Sequence, residues 1–268
     1  MTASLGSLNA VLGFAYILIG FMTLSDLKKG WKTMGFSHFG AAWVALAFSC
    51  GSHHLIHAMH LLAEGRSGGG LELVAVLVGV PPGLVFLALR IEAMLGGRGD
   101  RFIYGTPAWM QALAPAGAIY LTALGGAALS LALVGVPNKV TPNVVLVGLY
   151  LWIFYFILRT QLRNRSMMNG WSLSGVALAV IFPTCTLMHA LYATYASTGL
   201  YADVDWHGLV VDWISIPATL YFLWVVRALY RGTLRDWNRR VYDAAPDPQL
   251  VVVANLDPRS TVGPERFA

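Results

Sequence analysis

Residues 36–63, FSHFGAAWVALAFSCGSHHLIHAMHLLA, form an apolar run without a single Asp, Glu, Lys or Arg. A membrane-spanning helix needs about 20 consecutive apolar residues, so the run is long enough to cross a bilayer. Its second half nevertheless carries four histidines: His53, His54, His57 and His60. Ionisable side chains are costly in hydrocarbon and usually face a partner or a water-filled cavity. The stretch therefore predicts a membrane helix whose second half carries a functional site built from polar side chains.

The composition of the whole chain also predicts an integral membrane protein. Of its 268 residues, 57% are hydrophobic and only 12% are charged, whereas a soluble domain carries about 25% charged residues. Seven apolar segments are long enough to span a membrane: residues 8–25, 36–63, 71–95, 111–136, 142–160, 172–198 and 206–230. These runs are continuous rather than alternating, which argues against the strands of a membrane β-barrel.

We therefore predict an all-α, polytopic fold with seven transmembrane helices. Residues 1–240 form the transmembrane domain, and residues 241–268 form a poorly ordered cytoplasmic tail. The polar clusters KKGWK and RNRSMMNG, among others, are expected to be loops between the helices.

The basic residues predict the orientation of the chain. Fourteen of the 18 Lys and Arg residues follow the first, third, fifth and seventh segments, and only Arg66 and Lys139 lie in the opposite loops. Cytoplasmic loops of membrane proteins carry the excess of Lys and Arg. We therefore expect the N-terminus outside and the C-terminus in the cytoplasm, in a multi-pass protein of the cell membrane. The net charge of +5 then comes from basic residues that set the topology and lie near anionic lipids. It does not require nucleic-acid binding.

In this orientation, the histidines gather in the outer half of the predicted bundle. Six of the seven lie there, and His38 is the exception. The six are His53, His54, His57, His60, His189 and His207. Glu72 and Asp212 are expected at a similar depth. Asp212 lies a turn or two into its segment, where a carboxylate needs a partner.

One face of the second segment concentrates these groups. At about 100° per residue, a sector of about 80° contains five side chains, those of Cys50, His53, His57, His60 and Glu64. His54 lies off this stripe and is the histidine least expected on a metal. The i, i+4 spacing of His53 and His57 allows both imidazoles to bind one metal ion. From His53 to Glu64 the stripe is about 16 Å long by helix rise, so it suits one ion with a proton relay or access path, or two ions.

The predicted metal ligands are His53, His57, His60, His189, His207 and Asp212. A simpler interpretation is a hydrated, hydrogen-bonded lining that holds no metal. Cys50 and Cys185 are open to three interpretations: small packing residues, further ligands, or a disulfide within the bundle.

Part of the pattern resembles a known superfamily. Residues 49–53, SCGSH, match an SxxxH motif, Glu72 opens the third segment, and His207 begins the seventh. This is similar to the CREST superfamily of seven-helix membrane zinc hydrolases, which includes alkaline ceramidases and adiponectin-receptor-like proteins. The resemblance implies a zinc-bound water that attacks a lipid amide or ester, with Ser49 and Asp212 orienting the water or stabilising an oxyanion. Val211 stands where the second histidine of the family's HxxxH motif would be.

Three functions are therefore open at this stage. The first is a metal-dependent membrane enzyme that acts on a lipid-like or small apolar substrate. The second is a copper or zinc protein for sensing, storage, transfer or copper-dependent oxidation, because imidazole suits both metals and sulfur ligands select Cu(I). The third is an electron carrier with haem held between His57 and His189.

The expected cofactor is thus a transition-metal ion, Zn or Cu, with iron or haem as the third choice. The expected partners are the lipid bilayer, a lipid-like substrate, and other membrane subunits or a second copy of the chain. Nucleic acid is not expected.

Overall fold

A computed structural model describes residues 1–66, 68–105, 140–198, 206–234 and 236. The predicted fourth segment, 111–136, and the predicted tail, 241–268, lie outside the described residues. The chain divides into two compact units, Met1–Leu234 and Arg235–Ala268, and the helices below all belong to the first.

Six long helices make up the described part of the first unit. They are α1 (Thr2–Met34), α2 (His38–Leu62), α3 (Gly70–Met94), α4 (Thr141–Met168), α5 (Leu173–Ser197) and α6 (Trp206–Arg231). The last three correspond to the fifth, sixth and seventh apolar segments. All six are long and apolar enough to cross a membrane. The helical architecture is therefore confirmed for the described residues, and it supports the assignment to membrane proteins.

Two of the expected loops are helical instead. α1 continues through Lys28, Lys29 and Lys32 to Met34, and α4 continues through the arginines of RNRSMM. The prediction of loops there was wrong because Lys and Arg are good helix formers, so charge ends an apolar run without ending the helix. The chain leaves α1 at Gly35, with φ of 76°, and α4 at Asn169, with φ of 48°. Asn169 has the left-handed conformation that commonly ends a helix, and Gly35 has a positive φ that glycine adopts readily.

A short antiparallel ribbon, which the sequence did not predict, joins two loops. Strand β1 (Phe102–Tyr104) pairs with β2 (Gly170–Ser172), with Ile103 opposite Trp171. The carboxylate of Asp100 accepts hydrogen bonds from the Ser172 hydroxyl at 2.6 Å and the Ser174 hydroxyl at 2.8 Å. The chain that follows α3 is thereby tied to the start of α5.

The helices pack around an aromatic core. α2 lies against α1 and α6, while α5 packs on α3 and α4. Tyr150, Phe182 and Phe222 are among the largest fully buried side chains, and the last two stack with ring centroids 5.5 Å apart. α1 and α2 approach closely at Gly13 and Gly51, where a Cβ on either residue would lie 3.0 Å from the other's carbonyl oxygen.

The basic ends of the helices lie together at one end of the bundle. Three side-chain contacts join them: Arg90 Nη2 to Asp26 Oδ2 at 2.6 Å, Arg163 Nη1 to the Tyr230 carbonyl at 3.0 Å, and His38 Nδ1 to the Tyr221 hydroxyl at 2.9 Å. This is the arrangement that the predicted topology requires of α1, α3, α4 and α6. Which side of the membrane this end faces stays a prediction.

Candidate metal centre

Three potential metal ligands from three helices converge. They are His53 of α2, His189 of α5 and Asp212 of α6, whose ligand atoms lie within 4.8 Å of one another. Within the described ranges, this is the one group of three His, Cys, Asp or Glu side chains so placed. Two ligands bound at about 2.1 Å in tetrahedral geometry lie about 3.4 Å apart, so an ion would draw the most distant pair together by up to about 1.4 Å.

Asp212 is the most deeply buried member of the group, with 0% of its surface exposed. Its Oδ1 lies 3.0 Å from His53 Nδ1. At that distance the two groups interact electrostatically, although Oδ1 has no partner of full hydrogen-bonding geometry among the described residues. A buried carboxylate needs a compensating positive charge, and a metal cation or a protonated His53 would supply it.

The separation of these two atoms also fits a shared ion. Neighbouring ligands on one ion, bound at about 2.0–2.1 Å, lie about 2.9–3.4 Å apart in octahedral or tetrahedral geometry. The 3.0 Å between His53 Nδ1 and Asp212 Oδ1 falls in this range. Both atoms can therefore bind one ion with little movement.

Asn143, in the first turn of α4, connects the other two ligands. Its Nδ2 donates to Asp212 Oδ2 at 2.7 Å, and its Oδ1 lies 2.6 Å from His189 Nδ1. A carboxylate can only accept, so the amide nitrogen must face Asp212 and the amide oxygen must accept from His189 Nδ1–H. Neutral His189 thus carries its proton on Nδ1 and its lone pair on Nε2. This is how metal-binding histidines are usually oriented by a second partner.

The sequence analysis did not find Asn143. The residue lies at the boundary between the polar cluster VPNKVTPN and the fifth apolar segment, where an Asn is ordinary. Its burial, at 0% exposure, and its contacts 46 and 69 residues away depend on how α4, α5 and α6 pack. The one available signal was an amide at the edge of a span, which is too common to point to a site.

A small cavity lies beside two of the three ligands, His53 and His189. Eight residues line it: Cys50, His53, His54, Tyr150, Cys185, Met188, His189 and Ser215. The cavity has room for about one water molecule. The cavity therefore suits a single ion or a water molecule next to one.

Sulfur atoms line one side of this cavity. The Cys50 thiol lies 3.3 Å from the Tyr150 hydroxyl and is in hydrogen-bonding contact with Cys185. Both cysteines are free thiols rather than a disulfide. The Met188 thioether belongs to the same lining, so soft ligands adjoin the imidazoles.

His54 lines the cavity from α2 and is held by α1. Its Nδ1 lies 2.7 Å from Asn9 Oδ1, while Asn9 Nδ2 donates to the Leu5 carbonyl at 2.9 Å. Because a carbonyl only accepts, Asn9 Oδ1 must accept from His54 Nδ1–H. An asparagine side chain, that of Asn9, therefore orients His54 in the same way as Asn143 orients His189. The sequence stripe had set this residue apart from the other histidines, whereas the structure places it at the same cavity.

Other residues predicted as ligands lie elsewhere on α2. His57 is outside the convergent group, and its buried Nε2 has no hydrogen-bond partner among the described residues. His60 Nδ1 lies 2.9 Å from Glu64 Oε2, which also pairs with Arg66 Nε at 2.9 Å. These two histidines extend the stripe from the site toward the Leu62 end of the helix.

The remaining predicted residues make local contacts or fall outside the description. The Ser49 hydroxyl donates to the Leu46 carbonyl of its own helix at 3.0 Å and is not part of the cavity lining. The buried Glu72 carboxylate accepts from Gly69 N at 2.9 Å. His207 lies in the first turn of α6, and its side chain is outside the described part of the structure.

Comparison with protein-family models, curated proteins and solved structures finds no match to this chain. Over the residues that the structure describes, fold and site define a class: a helical protein in which six described helices are able to cross a membrane and two imidazoles and one carboxylate converge. The function therefore has to be argued from the site itself.

Proposed function

We propose that this protein binds one transition-metal ion within its helical bundle, through His53, His189 and Asp212, for sensing, storage or transfer of the metal. The observation that carries the proposal is the convergence of half-buried His53 with the buried His189 and Asp212. Asn143 supports it because its two hydrogen bonds orient both His189 and Asp212. Ligands held in advance by neighbouring groups bind a metal with less loss of conformational freedom.

Zinc is the first choice of metal. Two histidine nitrogens and one carboxylate oxygen form a ligand set that zinc uses, with a fourth position left for water or another group. The adjoining cavity has room of that size. The ion would also compensate the charge of the buried Asp212 carboxylate.

Copper is the second candidate, because sulfur lies at the same cavity. Cys50, Cys185 and Met188 line it together with the imidazoles. Thiolate and thioether ligands select Cu(I) over harder ions. A cuprous ion would be drawn toward the sulfur side, whereas zinc would stay with Asp212.

The cavity favours ion binding over catalysis on a large substrate. A zinc hydrolase must place a lipid carbonyl next to the metal-bound water, and the described residues leave space for about one water molecule. A porphyrin, which lies between its axial ligands, is larger still. Hydrolysis of a lipid-like substrate and haem binding are therefore weaker proposals for this geometry.

Metal analysis of purified protein tests the proposal. The full chain, purified in detergent after expression with zinc or copper supplied, is expected to contain about one metal ion per chain. Removal of a ligand in His53→Ala, His189→Ala or Asp212→Ala should lower the content at least tenfold. His38→Ala is the matched control, because His38 contacts Tyr221 at the other end of the bundle.

The outcome that contradicts the proposal is equal metal content in the wild type and the three ligand variants. Circular dichroism and gel filtration of each variant separate the loss of a ligand from the loss of the fold. Zinc retained by the wild type in the presence of both metals would favour the first choice, and copper would favour the second.

A further inference from the structure

His57 occupies an unusual position next to the site. It lies one helical turn after His53 on α2, and its Nε2 is buried without a hydrogen-bond partner among the described residues. A buried polar atom that finds no partner costs free energy, and hydrocarbon surroundings increase that cost. Stability of the fold therefore does not explain why this buried imidazole nitrogen is left without a partner.

His57 is also not one of the convergent ligands. The group whose ligand atoms lie within 4.8 Å consists of His53, His189 and Asp212 alone. His57 does interact electrostatically with His53 on one side and with His60 on the other. It therefore stands between the site and the end of the helix.

The stripe on α2 continues this series to the surface. Glu64, His60, His57 and His53 follow one another at spacings of four, three and four residues, so each is a neighbour of the next on the helix surface. The Glu64 side chain is 38% exposed, whereas the side chain of His60 is 10% exposed and that of His53 is 15% exposed. The series runs from the exposed Glu64 to the site ligand His53 over about 16 Å.

We propose that this stripe is the entry route of the metal ion, and that His57 is the transfer ligand between the Leu62 end of α2 and the site. The inference rests on the proposed function. The ion passes by ligand exchange, in which a bond to the next imidazole nitrogen forms as the bond to the previous one breaks. Its oxidation state does not change. Neighbouring imidazoles on one helix face are close enough for both to bind an ion for a moment.

A transfer ligand affects rates rather than equilibrium. If the ion enters and leaves through His57, removal of this imidazole raises the barrier in both directions by the same amount. The dissociation constant then stays the same while loading and release both become slower. A site ligand behaves differently, because its removal weakens binding itself.

Stopped-flow measurements with cobalt(II) separate these cases, because the absorption of bound cobalt reports its ligands. The full-length protein in detergent is mixed with cobalt for loading, and the loaded protein is mixed with a chelator for release. We expect His57→Leu to slow both rates at least tenfold, with a dissociation constant within threefold of wild type. His57→Cys, which offers another ligand atom, should recover much of the rate. His38→Leu is the control on the same helix and should match wild type.

Two results would overturn the inference. Rates of His57→Leu within twofold of wild type would exclude a transfer role, and an affinity loss as large as that of His53→Leu would make His57 a site ligand. The failure of the proposed function looks different, because the wild type itself would then bind no cobalt. His57→Phe, which keeps a ring but offers no ligand atom, provides the same comparison if the leucine variant does not fold.

Discussion

At the scale of single residues, Asn143 is the most informative position. One neutral amide, with no charge of its own, makes hydrogen bonds to His189 and to Asp212. It thereby determines which nitrogen of His189 carries the lone pair and where the carboxylate of Asp212 points. The chemistry of the site depends on this residue as much as on the ligands.

Replacement of Asn143 by leucine should weaken metal binding about 10- to 100-fold, as loss of a group that orients metal ligands commonly does. Leucine is of similar size but can neither accept from His189 nor donate to Asp212. The affinity is measured by competition with a chelator of known strength. Ser49→Ala is the control, since the Ser49 hydroxyl bonds only to its own helix, and it should change the affinity less than twofold. Binding by Asn143→Leu equal to that of wild type would argue against the orienting role.

At the scale of helices, the close approach of α1 and α2 positions the histidines. Gly13 and Gly51 allow the two backbones to meet, as small residues do in membrane helix pairs. This contact lies two residues before His53. It also brings Asn9 of α1 to His54 at 2.7 Å. The rotation of α2, and hence the direction of its polar stripe, depends on this packing.

Gly51→Val should therefore destabilise the bundle. The added side chain would meet the Ile17 side chain at 2.8 Å and the Gly13 carbonyl at 3.0 Å, and overpacking of this kind costs about 1–3 kcal/mol. A lower thermal midpoint in detergent and a lower metal content are expected together. Gly148→Val is the matched control, because nothing lies within 4 Å of a Cβ at Gly148. An unchanged midpoint for Gly51→Val would contradict the close approach.

At the scale of the whole molecule, the candidate site and most of the basic residues of the described helices lie at opposite ends, with Arg66 the exception. The arginines of α3 and α4 lie near the C-terminal ends of these helices, where Arg90 pairs with Asp26 of α1. Asn143 and Asp212 lie near the N-terminal ends of α4 and α6. With basic ends in the cytoplasm, the site would face the outside.

A membrane-impermeant chelator tests this orientation. In intact cells it should remove the metal from the wild-type protein, because the Leu62 end of α2 is then external. A permeant chelator is the positive control and should remove the metal from cells and from inverted vesicles alike. Loss of metal to the impermeant chelator from inverted vesicles, but not from intact cells, would reverse the predicted topology.

Some features could be predicted because they depend only on the local order of residues in the chain. Continuous apolar runs require helices when no water is present to bond the backbone, and the six described helices follow those runs. The i, i+3 and i, i+4 spacings of His53, His57 and His60 define one face of a helix without reference to any neighbour. Helix ends were less predictable, because Lys and Arg at the end of α1 stay helical.

Only the tertiary structure determined which of these groups meet. His53, His189 and Asp212 come from three helices far apart in the chain, and only the packing of those helices selects them from the larger set of predicted ligands. The role of Asn143 and the place of His54 at the cavity have the same origin. A sequence specifies the direction of a side chain around its own helix axis. The partner that the side chain faces depends on how each helix is rotated against its neighbours, and close packing of the whole bundle decides that rotation.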